Sequence, residues 1–237
     1  MPIKIVRTPN DPHHSRAVVY VFDPADRHRT NSPRPQGRMY RDKATGRMML
    51  RPASPVSERD FFVGLDLAQS NDYTAIAIVR RTESGLIVPF LARTRGRPYP
   101  DIVASVADLM SRPELAGAKL IIDGTGVGRP VFDLLRAADL DPISVTITAG
   151  AKATGARRRF RVPKRDLVSA VLLALQAETL TIAPNIEHAD DLRQELADMR
   201  AKITPAGNET YAAREGAHDD LVMALALAVW MAERAAR

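Results

Sequence analysis

The first regular alternation of apolar and polar residues begins at Phe61. Phe61, Phe62, Val63 and Leu65 form an apolar run of strand-favouring residues that ends in a carboxylate, Asp66. Thr74 to Arg80 and Leu86 to Ala92 are two further extended runs, the second entered through a turn at Glu83 to Gly85. Three such runs with short connections predict an antiparallel meander. Ile102, Val103, Val106, Leu109 and Met110 then recur at helical spacing, with Pro113 as a stop. Lys119 to Ile122 is an apolar strand ending in Asp123, Val127 to Ala138 reads as a helix, and Ile143 to Ile147 as another strand. Strand, helix and strand with short joints predict a right-handed crossover between parallel strands. The expected sheet is therefore mixed: three antiparallel strands, then parallel ones beside the strand that carries Asp66. That arrangement sets Asp66 and Asp123 at the same edge, at the carboxyl ends of their strands.

From Thr148 to Arg165 the chain reads as a Gly-containing cationic loop, TAGAKATGARRRFRVPKR, after which Pro163 opens a long helix through Leu167, Val168, Val171, Leu172 and Leu175. Thr179 to Ala183 is a short strand stopped by Pro184, Asp190 to Arg200 an amphipathic helix, and Lys202 to Tyr211 a hairpin about a turn at Ala206 to Asn208. Ala217 to Glu233 is a nearly all-round apolar helix that must lie against the sheet, yet its first turn reads His218, Asp219, Asp220. Acidic residues favour helix N-termini. Capping needs only one of them.

Residues 1–60 differ in texture, being crowded with Pro, Arg, His and Asp. Ala17 to Phe22 is strand-like, and a turn at Ala44 to Gly46 joins short extended pieces around Arg38 to Tyr40 and Met48 to Leu50. This segment has too few hydrophobes for a core of its own and reads as a basic, partly ordered arm and linker, leaving residues 61–237 as one domain. It holds about twice as many Lys and Arg as Asp and Glu. Either loose phosphate contacts or a solvated tail accounts for that.

With 237 residues, 45% hydrophobic and 26% charged, the chain can bury a sizeable core. The absence of cysteine excludes disulfides, thiolate-held zinc and a cysteine nucleophile, so any metal must be held by oxygen or imidazole. No apolar run is long enough to span a bilayer and no signal-peptide pattern opens the sequence, so a cytoplasmic protein is expected. A net charge of +6 points towards a polyanionic partner.

The candidate chemistry lies in the acids. Asp66 taken alone is equally a turn cap with Ser70 and Asn71. Taken with Asp123 and the pair Asp219 and Asp220, it belongs to a cluster in which each like-charged pair within several Å costs on the order of 4 kcal/mol at an effective dielectric of about 20. Cations must offset that cost, and an all-carboxylate site prefers hard divalent ions, Mg²⁺ or Mn²⁺. Two such ions about 3.5 to 4 Å apart activate a water and stabilise the leaving oxygen of a phosphodiester. Lys152, Arg157, Arg158, Arg159, Arg161, Lys164 and Arg165, expected near the acidic edge, suit DNA-backbone contacts of weak sequence preference and strong salt dependence. A solvated loop is the alternative. The glycines from Gly124 to Gly128 either offer amides to a phosphate or permit close packing.

Four stretches carry a resemblance: VGLDLAQSNDYTAIAIV around Asp66, LIIDGTGVGRPVFDLLR around Asp123, VPKRDLVSAVLLAL, and GAHDDLVMALALAV near the C-terminus. In this order and spacing they resemble the nuclease domain of the large terminase subunit of tailed bacteriophages, within the RNase H-like superfamily. The resemblance implies an α/β fold with an RNase H-like mixed sheet and helices on both faces. It also implies a two-metal, Mg²⁺- or Mn²⁺-dependent endonuclease that cuts concatemeric viral DNA during genome packaging in the host cytoplasm. Asp66, Asp123, Asp219 and Asp220 would be the catalytic metal ligands, with Asp72 and His218 in support. Double-stranded DNA would be the substrate, and a separate packaging ATPase, a small terminase subunit and a portal the partners. A GxxxxGK[ST] motif is missing, since GTGVGRPV lacks the Lys and the hydroxyl. The motor is therefore expected on another chain, and this one as a separate nuclease subunit or shortened relative in preference to an excised domain. A Holliday-junction-resolvase-like nuclease and a non-catalytic DNA-binding packaging protein on the same fold remain alternatives. Half of an actin-like ATPase would need a second copy of the unit, and no internal repeat is seen.

Overall fold

The computed structural model describes residues 37–41, 48–52, 60–67, 73–125, 128–183, 185–203, 209–214 and 217–235. The chain divides into two units, Met1–Pro55 and Val56–Arg237. In the first, strand β1 (Gly37–Arg41) runs antiparallel to β2 (Met48–Pro52), with Gly37 opposite Pro52 and Arg41 opposite Met48. These are the two short extended pieces expected there. The turn at Ala44 to Gly46 and the strand-like run Ala17 to Phe22 lie outside the described residues.

The second unit is built on an eight-stranded sheet. Its strands are β3 (Phe61–Asp66), β4 (Tyr73–Thr82), β5 (Gly85–Arg95), β6 (Lys119–Asp123), β7 (Ile143–Thr148), β8 (Thr154–Ala156), β9 (Arg159–Pro163) and β10 (Leu180–Ile182). Their order across the sheet is β10-β5-β4-β3-β6-β7-β9-β8. β3, β4 and β5 form the expected antiparallel meander, and β6, β7 and β9 follow in parallel from β3. Helix α1 (Tyr99–Met110) buries Ile102, Val103, Val106 and Leu109, and α2 (Gly128–Ala137) makes the crossover between β6 and β7. α3 (Lys164–Gln176), α4 (Ala189–Asp198) and α5 (Asp220–Ala235) complete the α-helices of the described residues. β11 (Met199–Ile203) and β12 (Glu209–Ala213) pair as the expected hairpin, whose turn is outside the described residues.

Side chains alternate across a strand, and β3 uses both faces for core. Phe61, Val63 and Leu65 pack with Ile102, Val106 and Leu135 beneath α1 and α2, whereas Phe62 packs with Val168, Leu192 and Leu225 beneath α3, α4 and α5. Burial on both faces explains why β3 reads as a continuous apolar run. α5 approaches β3 closely at Gly64, where an added Cβ would overlap the carbonyl oxygen of Ala224. Glycine on the strand and alanines on the helix are what permit this contact. Among the described residues no helix is long and apolar enough to cross a membrane.

The segment expected as a cationic loop is different. It holds the antiparallel pair β8 and β9, with Arg157 and Arg158 in the turn between them. Phe160 and Val162 point into the core and Arg159 and Arg161 away from it, so the two-residue alternation of a strand lies hidden among the arginines. β9 then passes directly into α3 through Pro163, whose φ of −60° suits a residue at a helix start.

Candidate active site

The register of β3 and β6 sets Leu65 beside Ile122, so the next residues, Asp66 and Asp123, end neighbouring parallel strands at one edge of the sheet. Phe62 and Ile121 belong to the core beneath α5. Asp66 and Asp123, an even number of residues further on, face the same side. Asp219 and Asp220 arrive there from the N-terminus of α5, close enough for their charges to act on Asp66. The Asp66 carboxyl is held well above its usual range, by burial first, then by the negative charges of Asp123, Asp220 and Asp219, with Lys164 opposing. Burial also pushes Asp123 up, against hydrogen bonds from Thr125 and the attraction of Lys164. The Thr125 N–H donates to Asp123 Oδ1 at 2.7 Å.

The sequence places His218, Asp219 and Asp220 together in a first helical turn. In the structure α5 begins at Asp220, and the Asp219 carbonyl accepts the N–H of Met223 at 2.8 Å, which makes Asp219 the N-cap residue. Glu195 of α4 fixes that start by accepting the Val222 N–H on Oε2 at 3.0 Å. Asp219 Oδ2 instead accepts a hydrogen bond from Lys164 Nζ at 2.6 Å. Asp220 is buried, with Oδ2 3.5 Å from His218 Nδ1, and the His218 ring stands edge-on to Tyr73 at 5.1 Å. Asp72 lies outside the described residues.

Among the described residues no three acidic or imidazole side chains are arranged to hold a metal ion as they stand. The donor set nevertheless suits a hard divalent cation, being made of carboxylate oxygens. Burial and, after it, the repulsion among the acids raise Asp66, and such a cation would relieve both. Lys164, the first residue of α3, supplies part of the compensating charge.

A family model described as the terminase RNaseH-like domain matches residues 63–232. The chain belongs to this family. It is 25% identical over 168 residues to the terminase large subunit of Thermus virus P23-45, a match covering 71% of this chain and 31% of that protein. The chain thus spans about a third of the length of the curated relatives it matches. Solved structures of the large terminase nuclease from thermophilic phage G20c, one with bound magnesium and one with bound cobalt, superpose with TM-scores of 0.56 and 0.57. They are 21% and 22% identical, and each match covers 77% of this chain and 85% of the other. The mixed sheet of this terminase RNaseH-like domain is accordingly RNase H-like in fold.

Within the domain, the cationic run is divided between the two ends of β9. Because β9 is parallel to β7, its Pro163 end lies beside Thr148 and its Arg159 end beside Ser144. Lys164 and Arg165 follow Pro163 at the edge that bears the acids, and the β7 to β8 connection carries Lys152 there too. Arg157 and Arg158 lie at the other end, on the order of 15 Å away at about 3.3 Å per strand residue. The hairpin turn carries them there, so the expectation that the whole run stands beside the acids does not hold. Arg158 is ion-paired with the Asp141 carboxylate and donates to the Asp141 carbonyl at 2.8 Å. Arg159 stacks over Phe132 at 5.8 Å and Arg161 is exposed. Arg165 donates to the Ala151 carbonyl at 2.6 Å. The Gly124 N–H donates to the Val145 carbonyl at 2.9 Å and so is not offered to a phosphate.

Two residues near the acids escaped the sequence reading. Glu195 is buried and also accepts from Arg93 Nη1 at 3.2 Å; Arg93 in turn lies over the Tyr73 ring at 4.4 Å. The available signal was spacing: Ala189, Leu192, Glu195 and Asp198 fall every three residues on the buried side of α4, two of them acids where hydrophobes belong.

Proposed function

We propose that the chain is a metal-dependent DNA endonuclease of the terminase type, cutting concatemeric viral DNA during genome packaging in the host cytoplasm. The observation that carries this reading is that Asp66, Asp123, Asp219 and Asp220, from three separate elements, come to one edge of the sheet, where burial and then the charges of the other three raise Asp66. The solved G20c terminase nucleases with bound magnesium and bound cobalt support it. These four carboxylates would hold two divalent ions, Mg²⁺ or Mn²⁺. When bound, such ions supply Lewis acidity to the scissile phosphate and lower the pKa of an attacking water.

The chain's own residues would do the positioning. Asp66 and Asp123 sit on adjacent buried strands, which fixes their backbones with little freedom. Asp219 and Asp220 are presented by a helix pressed onto the same strands. Lys164 would balance charge among the acids and meet a DNA phosphate, with Lys152, Arg161 and Arg165 extending the cationic track, and His218 and Asp72 would support the site. Arg157 and Arg159, further from the acids, would meet a duplex only along its flank, whereas the Arg158 guanidinium is engaged by Asp141. Double-stranded DNA is the substrate, and a packaging ATPase, a small terminase subunit and a portal are the partners.

Supercoiled plasmid tests the reading. With Mn²⁺ the chain should nick and linearise it, chelator should stop the reaction, and Asp66→Asn should lower the rate by at least about a hundredfold, as loss of electrostatic stabilisation at a reacting phosphate does. An Asp66→Asn chain that cuts at the unaltered rate would contradict it. Cleavage confined to four-way junctions would favour the resolvase-like alternative.

A further inference from the structure

An aspartate at a helix N-cap ordinarily turns its side chain inward to accept the amide of the second or third helical residue. Asp219 occupies that position in α5, where those amides belong to Leu221 and Val222. The second of these is already taken. Glu195, reaching across from α4, accepts the Val222 N–H at 3.0 Å, and the Leu221 amide adds to the pull on the same carboxylate. Its other oxygen is held by Arg93 Nη1 at 3.2 Å, and Arg93 is braced against Asp191 at 3.4 Å and against the Tyr73 ring. The Asp219 carboxylate, displaced from its usual local partner, turns outward and meets Lys164 at 2.6 Å.

We propose that Glu195 is a positioning residue for the acidic cluster: by capping α5 from a neighbouring helix it releases the Asp219 carboxylate to bind a divalent cation. A helix start can use its own aspartate as cap or lend it to a site, and a carboxylate turned inward to cap has fewer acceptor sites left for a cation. Glu195 resolves that competition. Removing it leaves the buried Val222 amide unpartnered, and the N-cap Asp219 is the acceptor placed by chain geometry to take it up, so the helix reclaims its cap and the site loses an oxygen donor. The inference rests on the metal-site reading above.

Calorimetric titration of Mn²⁺ into the full chain tests it without recourse to cleavage. Outer residues that orient ligands typically account for 10- to 100-fold in metal affinity. Glu195→Ala is therefore expected to weaken Mn²⁺ binding by about tenfold or more. Glu195→Gln, which keeps an amide-accepting oxygen, should recover most of that loss. The effect of Glu195→Ala should vanish in an Asp219→Ala background, since its action runs through Asp219. Glu195→Asp withdraws the carboxylate by one methylene while keeping its charge, and it should also bind Mn²⁺ more weakly; this variant decides the matter should the alanine chain fail to fold. Unaltered Mn²⁺ affinity in a folded Glu195→Ala or Glu195→Asp chain would overturn the inference alone. Failure of the unaltered chain to bind Mn²⁺ would overturn the nuclease reading and this inference with it.

Discussion

At the scale of single residues, the behaviour of Asp66 without metal follows from its surroundings. Its folded carboxyl titrates above its unfolded value, so between those two values the folded chain binds more protons and stability falls as pH rises. Asp123 and Glu195, each raised mainly by burial, act in the same direction. Asp191, lowered by its hydrogen bond to His188, acts oppositely and only in more acidic solution. The metal-free chain is therefore expected to lose stability as pH rises above the ordinary carboxylate range, about 4. Asp66→Asn should raise the neutral-pH melting temperature, by about 2 to 4 °C for each kcal/mol of repulsion relieved. Thermal melts across pH in chelator check both; a melting temperature that climbs steadily as pH rises above the ordinary carboxylate range would count against a crowded cluster. Lys164→Gln removes a cation from the same group, so it should lower the metal-free melting temperature and leave the acids more dependent on added Mn²⁺ for stability.

At the scale of elements, α5 is where fold and site meet. The helix that presents Asp219 and Asp220 rests on β3 at Gly64, and a side chain there would push it away from the strand that carries Asp66. Gly64→Ala is expected to cost about 1 to 3 kcal/mol, as overpacking in a closed core does, and to weaken Mn²⁺ binding in parallel. Denaturant melts and calorimetry check these together. The meander, the crossover and α5 were legible in the sequence because their apolar residues repeat with the period of the element they form. The pair β8 and β9 was not. β8 is Thr-Gly-Ala, exposed throughout, and in β9 the core residues Phe160 and Val162 alternate with arginines that read as a charge run. The strand-ending acids Asp66 and Asp123 were likewise visible as charges where hydrophobes are expected. Glu195 was not, because one acid on an amphipathic helix reads as solvated until its burial against α5 is known, and the exact start of α5 depends on that same contact.

At the scale of the molecule, the division of the cationic run makes a prediction about DNA. Each Lys or Arg that neutralises a phosphate contributes about 0.9 to the slope of log affinity against log salt concentration. Lys152→Ala should reduce that slope by about this amount on linear duplex, whereas Arg158→Ala should leave it unchanged because its guanidinium already serves Asp141. Equal losses from the two variants would place the duplex across the far edge as well. The proposed activity depends on carboxylates remote in sequence sharing divalent ions at one sheet edge. Anomalous scattering from a crystal soaked in Mn²⁺ tests that most directly. Peaks bounded by oxygens of Asp66, Asp123 and at least one of Asp219 and Asp220 are the expected result, and an ordered crystal with no Mn²⁺ at these four residues would contradict it.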